Sequence, residues 1–234
     1  MLAKTRGIVL RNTNYRESSL ISKIYTREFG IRTYILQSVR KGKSAIKPSM
    51  VQPLSIILMD VYEKPNSNIQ RVKEIKSGHL LLNIQSSMVK KSIAMFLLEV
   101  LNQCIVEENC ENELFDFLEQ SILQLETEEL DPIFPSKFLL SLSSFLGVYP
   151  NVELSDENGY FSLEDGNMTG SHSSNSLSLD ASQVLVALIH NQSVKASKQV
   201  RRELLAGLVK YYQFNVIKNH RDIRSIGILS EILG

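Results

Sequence analysis

Five short stretches in the first third of the chain carry strand-type residues, several with strict alternation, and nothing between them is long enough to be a crossover helix. They are 5–13 (TRGIVLRNT), 18–26 (SSLISKIYT), 31–39 (IRTYILQSV), 54–62 (LSIILMDVY) and 69–75. In the second, Leu20, Ser22 and Ile24 alternate with Ile21, Lys23 and Tyr25; in the third, Ile31, Thr33 and Ile35 alternate with Arg32 and Tyr34. A period of two puts one set on a core and the other on an outer face. Arg27-Glu28-Phe29-Gly30 and Asn66-Ser67-Asn68 supply turns, the first with a glycine free to take positive φ. Strands this short, with no crossovers, are expected to pair antiparallel and close into a small barrel.

The period changes after His79. Val89, Ile93, Phe96, Leu97, Val100, Leu101 and Cys104 follow helical spacing, as do Leu114, Phe115, Leu118, Ile122 and Leu125. A third apolar stripe follows Pro135, and two more helices are expected over 181–191 and 197–215. The reading is α+β: a barrel over 1–79, then an all-helical domain over 80–234. An irregular excursion, rich in Gly, Ser, Asn and acid, spans about 149–180.

Charge divides the chain the same way. Residues 1–80 hold fifteen Lys or Arg against five Asp or Glu, a net +10, although the whole chain stands at +1. Residues 81–150 hold three against eleven, a net −8. A basic barrel beside an acidic segment points to a polyanion surface on the barrel. Arg40, Lys41 and Lys43, followed by Lys47, suit a flexible phosphate-binding loop. Arg11, Arg16, Lys23, Arg27 and Arg32 extend the basic set, and Tyr34 and Tyr25 are interleaved with it. Cations beside aromatic rings can neutralise phosphates and stack bases without reading sequence.

Other chemistry finds less support. Gly42-Lys43-Ser44 ends like a phosphate loop, but Gln37 stands where the first glycine belongs. Cys104 and Cys110 lack CxxC partners, and the four histidines are scattered, so no metal site is expected from spacing. Asp116 and Glu119 belong to an acidic run that reads more simply as a solvated helix face than as a nuclease centre. Ser171-His172-Ser173 has no nucleophile-elbow context. No catalytic residue is assigned, and the chain is expected not to be an enzyme. Lys195, Lys198, Arg201 and Arg202 beside Leu205 suit an acidic, partly apolar peptide. The opening residues lack a signal-type h-region, and no apolar run would span a bilayer, so a cytoplasmic location without membrane contact is expected.

Thr5-Arg6-Gly7-Ile8-Val9-Leu10, Asn14-Tyr15-Arg16-Glu17-Ser18-Ser19 and Tyr25-Thr26-Arg27-Glu28-Phe29-Gly30 resemble the opening of RecO proteins, and Val39-Arg40-Lys41 looks like the basic end of that family's next strand. The resemblance implies an oligonucleotide-binding (OB) barrel followed by a helical domain. It also implies a recombinational DNA repair mediator of the RecFOR pathway, associated with the nucleoid. Such a protein binds single- and double-stranded DNA and anneals complementary strands. With RecR it helps load RecA onto DNA coated by single-stranded DNA-binding protein, whose acidic C-terminal tail would suit the Lys198/Arg202 cluster. Many relatives carry a four-cysteine zinc site after a segment matching Leu146-Gly147-Val148-Tyr149-Pro150. Here 151–180 contains no cysteine, so that zinc site is expected to be lost and no cofactor is expected. The alternative is a non-catalytic adaptor whose basic barrel docks an acidic protein.

Overall fold

The computed structural model describes residues 1–39, 46–64, 67–105, 110–156, 158–217 and 222–232. Five strands form the expected barrel: β1 (Leu2–Tyr15), β2 (Ser19–Thr26), β3 (Gly30–Leu36), β4 (Ile56–Tyr62) and β5 (Gln70–Ser77). The barrel closes in the order β1-β2-β3-β5-β4, antiparallel except for a short parallel pairing of β3 with β5. This is the strand order of an OB fold. Gly30 ends the β2–β3 turn at φ 64, the left-handed conformation that its missing Cβ allows.

β1 is long enough to pair with β4 through its first half and β2 through its second, which closes the barrel. A bulge makes that double use possible. Val9 opposes Ile24 and Arg11 opposes Lys23, so Leu10 has no partner of its own. One extra residue reverses which side chains face out. Before the bulge the outward set is Leu2, Lys4 and Arg6; after it the set is Arg11, Thr13 and Tyr15. Asn102 holds the bulge by donating to the Leu10 carbonyl at 3.2 Å. Val9, Ile24, Tyr34, Leu36, Ile57, Met59 and Val61 fill the interior. Gly7 belongs to that filling: a Cβ there would come within 2.6 Å of Ile24 and 2.9 Å of Met59.

After β5 ends at Ser77 the chain is mainly helical, with α1 (Leu82–Ser86), α2 (Met88–Cys104), α3 (Asn112–Thr127), α4 (Phe134–Phe145), α5 (Leu179–Ile189), α6 (Lys198–Asn215) and α7 (Ser225–Ile232). Compaction groups these helices differently. One unit comprises Met1–Ala94 and Leu98–Glu128, so α1 and α3 fold with the barrel; the other comprises Met95–Leu97 and Glu129–Gly234. α1 is fixed to α3 by the buried Glu126 carboxylate, which accepts from the backbone of Asn83 (2.7 Å) and Ile84 (2.8 Å).

In the second unit Ser178 and Ser197 cap α5 and α6 by accepting from the backbone of Ala181 and Val200. Leu204, Leu205, Leu208, Tyr211 and Tyr212 form the buried stripe of α6, and the Tyr212 hydroxyl donates to the Leu139 carbonyl of α4 at 2.6 Å. Residues 149–180 carry a two-stranded ribbon of β6 (Tyr160–Phe161) and β7 (Met168–Thr169).

Candidate nucleic-acid interface

The outer face of β1, β2 and β3 gathers cations around a small apolar platform. Arg11, Lys23 and Thr33 lie in one cross-strand row; Thr13, Ile21 and Ile35 lie in the next. Ile21 and Ile35 are only half-buried, so the platform is open. Burial, and then the neighbouring Arg11 charge, pull Lys23 below the ordinary lysine range. Among the described residues neither cation has a carboxylate partner. Two like charges without a counter-charge cost stability unless an anion meets them.

The β1–β2 turn adds Arg16, at φ 53, with its guanidinium 5.2 Å from the Tyr15 ring centre. Since Leu20 opposes both Asn14 and Leu36, this turn and the end of β3 leave the barrel at the same end. Lys47 is exposed just ahead of the 3-10 turn Pro48–Val51. Arg40, Lys41 and Lys43 lie outside the described residues.

Three other basic-set positions are placed elsewhere. Arg27 grips Asp116 of α3 with two hydrogen bonds of 2.8 Å. Arg32 and Tyr34 do share a face, but it is the inner one. Tyr34 has no exposure, and its hydroxyl donates to Glu63 at 2.7 Å; the Arg32 Nε stands 3.8 Å from the same carboxylate. Burial, then that bond, raise the Tyr34 phenol far above its usual range. Tyr25 shares the outer face with Lys23 but is covered by α3, its ring 6.0 Å from that of Phe115. Burial pushes its phenol up to about 12. Neither ring is free to stack a base. Alternation assigned them correctly to alternate faces, but it cannot say which face is the inside or where a later helix will lie. The platform residues Ile21 and Ile35 carry no charge or ring to single them out in sequence, though period two places Ile21 on the Lys23 face.

Asp116 and Glu119 are engaged by arginine. Besides Arg27, Arg6 donates to Asp116 at 3.0 Å and to Glu119, and its guanidinium lies 5.3 Å from the Phe115 ring centre. Arg27 first, then Arg6, hold the Asp116 carboxyl below the ordinary range against the opposing effect of burial. Carboxylates neutralised in this way make poor divalent-metal ligands. Because the folded value is depressed, the stabilisation is whole above the unfolded value of about 4 and fades as pH falls through the folded one. Asp116→Asn is therefore expected to lower Tm at pH 7, with the gap from the parent closing in acid below about pH 4; thermal melts across pH 2–7 check it.

In the second unit the basic cluster divides. Lys195 lines a groove of about 450 Å3 together with Val184, Ala187, Val194, Val200 and Asp180, and Lys198 is exposed beside it. Arg201 donates to the Ala196 carbonyl and Arg202 to the Ser230 carbonyl, both at 2.7 Å. Leu205 is 5% exposed and packs inward, so it does not line a surface groove.

Residues 1–80 match the family model described as Recombination protein O N terminal, and residues 85–222 match Recombination protein O C terminal. The chain belongs to the RecO family. A protein named DNA repair protein RecO from Phocaeicola vulgatus is 42% identical over 166 residues, covering 70% of this chain and 68% of its own. Proteins of the same name from Bacteroides fragilis and Flavobacterium johnsoniae are each 31% identical, over 241 and 237 residues, covering 99% of both chains.

The zinc site that resemblance to RecO proteins implies does not fit this chain. Its two cysteines, Cys104 and Cys110, lie outside the 149–180 segment, and burial pushes the Cys104 thiol up to about 12. Among the described residues no three His, Cys, Asp or Glu side chains gather as ligands. The segment is instead built on apolar contacts. Phe161, Leu163 and Leu177 are buried, and Phe161 meets Tyr211 edge-on at 5.6 Å. Leu177 fills space that α6 leaves at Gly207, where a Cβ would come within 2.2 Å of it. Tyr211 also donates to the Val148 carbonyl at 2.6 Å, beneath the Gly166 turn at φ 70.

Proposed function

We propose that this chain is a recombinational DNA repair mediator that binds single-stranded DNA on its barrel and anneals complementary strands. The observation that carries this reading is the uncompensated Arg11–Lys23 pair beside the open Ile21/Ile35 platform. Phosphates would supply the missing counter-charge, and bases would rest on the apolar platform without being read. Arg16 and Lys47 extend the cationic track, and Arg40, Lys41 and Lys43 add three further cations between β3 and Lys47 in sequence. Screening the repulsion between two strands lets them pair, so neither hydrolysis nor a cofactor is needed, and the chain works without catalysis of its own.

The relatives' name, DNA repair protein RecO, supports the repair role. Cooperation with RecR in loading RecA, and binding of double-stranded DNA, follow as part of the same reading. So does a cytoplasmic, nucleoid-associated location; among the described residues no helix is long and apolar enough to cross a membrane. The acidic C-terminal tail of single-stranded DNA-binding protein is assigned to the groove beside Lys195 and Lys198, where cations border apolar side chains.

The test is a fluorescence-anisotropy titration of a labelled single strand at several salt concentrations, with and without unlabelled complement. About four phosphate contacts give a log–log salt slope near −3. Salt-sensitive binding with faster pairing in the absence of ATP is the expected result. No binding at low salt would overturn the reading in favour of an adaptor that docks an acidic protein.

A further inference from the structure

The platform row does not stop at β3. Ile35 opposes Arg71 of β5, Arg71 opposes Tyr62 of β4, and Tyr62 opposes Leu2 at the start of β1. One belt of outward positions therefore runs Thr13, Ile21, Ile35, Arg71, Tyr62, Leu2, five strand-to-strand steps of about 4.8 Å each. Tyr62 is 43% exposed and Leu2 49%. Tyr62 is thus the strand tyrosine of this belt that offers a ring to solvent, whereas Tyr25 and Tyr34 are buried.

The charge of this arc matches the arc already described. Arg71 and Lys73 are exposed, and among the described residues neither meets a carboxylate. Lys73 stands out because of a second bulge: Asp60 opposes Glu74 and Val61 opposes Val72, leaving Lys73 as the extra residue. The nearby acids do not occupy the belt. Asp60 and Glu74 lie in the next row, where Lys4 opposes Asp60 and Lys76 lies 3.3 Å from Glu74. Glu63 turns inward to Tyr34 and Arg32.

We infer that a single strand bound on the β1–β2–β3 face continues across β5 onto β4, with a base stacked on Tyr62 and phosphates met by Arg71 and Lys73. The inference rests on the proposed function and adds to it a stacking residue and a path for the strand. An aromatic ring flanked by unpaired cations, continuous with a cationic apolar platform, is the arrangement that holds single strands without sequence preference.

The chain contains no tryptophan, so Tyr62→Trp installs a single reporter. A labelled single strand, read by anisotropy, and the indole emission of this variant are titrated in parallel. The expected result is quenching that saturates at the strand concentration at which anisotropy saturates. Tyr62→Ala is expected to weaken binding about five- to hundredfold without changing the salt slope, because stacking releases no counterions. Arg71→Ala is expected to reduce the slope by about 0.7. Anisotropy showing binding while the indole emission is unchanged would overturn the path and leave the proposed function standing. Anisotropy showing no binding by the parent chain would overturn both. Since Tyr62 is half exposed, its replacement spares the barrel core, and Tyr62→Trp keeps the test decisive even if Tyr62→Ala folds poorly.

Discussion

Replacing Arg11 and Lys23 together by alanine is expected to weaken single-strand binding roughly tenfold or more at physiological salt, and to flatten the salt slope by about 1.4. Each cation neutralises one phosphate, and each phosphate contact removed from a single strand takes about 0.7 from the slope. The effect should be uniform across sequences, since phosphate contacts position a strand without reading it. Stability should move the other way. Folding lowers the Lys23 pKa, so at neutral pH the charged side chain is disfavoured in the folded state, and that penalty lifts as pH rises through the lowered value. Lys23→Met alone should therefore leave Tm unchanged or raised while binding falls. A double variant that binds DNA normally would remove the pair from the DNA site, and one whose Tm drops sharply would show that the pair serves the fold. Anisotropy and thermal melts on the same samples separate these outcomes.

Phe161→Ala should be the most damaging single change in the second unit, costing about 3–5 kcal/mol. The ring is fully buried and meets Tyr211 edge-on, and the Phe161 backbone N–H donates to the Ser182 hydroxyl at 2.9 Å. Removing the ring takes away the wedge between the 149–180 segment and α6, where a thiolate cluster would otherwise have supplied a crosslink. The segment should then become a preferred site of limited proteolysis. A chelator should leave the Tm of the parent chain unchanged. A chelator-dependent fall in Tm would mean that a metal, not the apolar wedge, holds the segment. Denaturant unfolding of Phe161→Ala measures the wedge directly.

Much of the architecture was written in local periods. The five barrel strands and the five main helices were readable, because each carries a strand-type run or a helical period in its own residues. Ser178 and Ser197 marked helix starts with their side-chain oxygens. The β6–β7 ribbon, with two residues in each strand, was not readable, and neither were two helices. α1 is five residues long and has only Ile84 buried, too little to show a period. α7 follows a segment without a sustained pattern and buries only Leu229. The candidate site was half legible. Basic residues could be counted, and Arg11 and Lys23 stood among them. Arg27, however, looked no different from Arg11 until α3 brought Asp116 to it, 89 residues away in sequence.

The sequence by itself determined the barrel, the helical remainder, the basic bias of the first third and the absence of thiolates from 149–180. Each follows from residue identity and spacing within a short window. Tertiary structure alone decided which cations stay unpaired and which aromatic rings stay exposed. The bulge at Leu10 turned Arg11 outward, α3 covered Tyr25 and neutralised Arg27, and barrel closure drew Tyr34 inside. It also brought Arg71 and Tyr62 into one row with Ile35. The availability of a charge or a ring depends on what packs against it, and those neighbours come from distant parts of the chain.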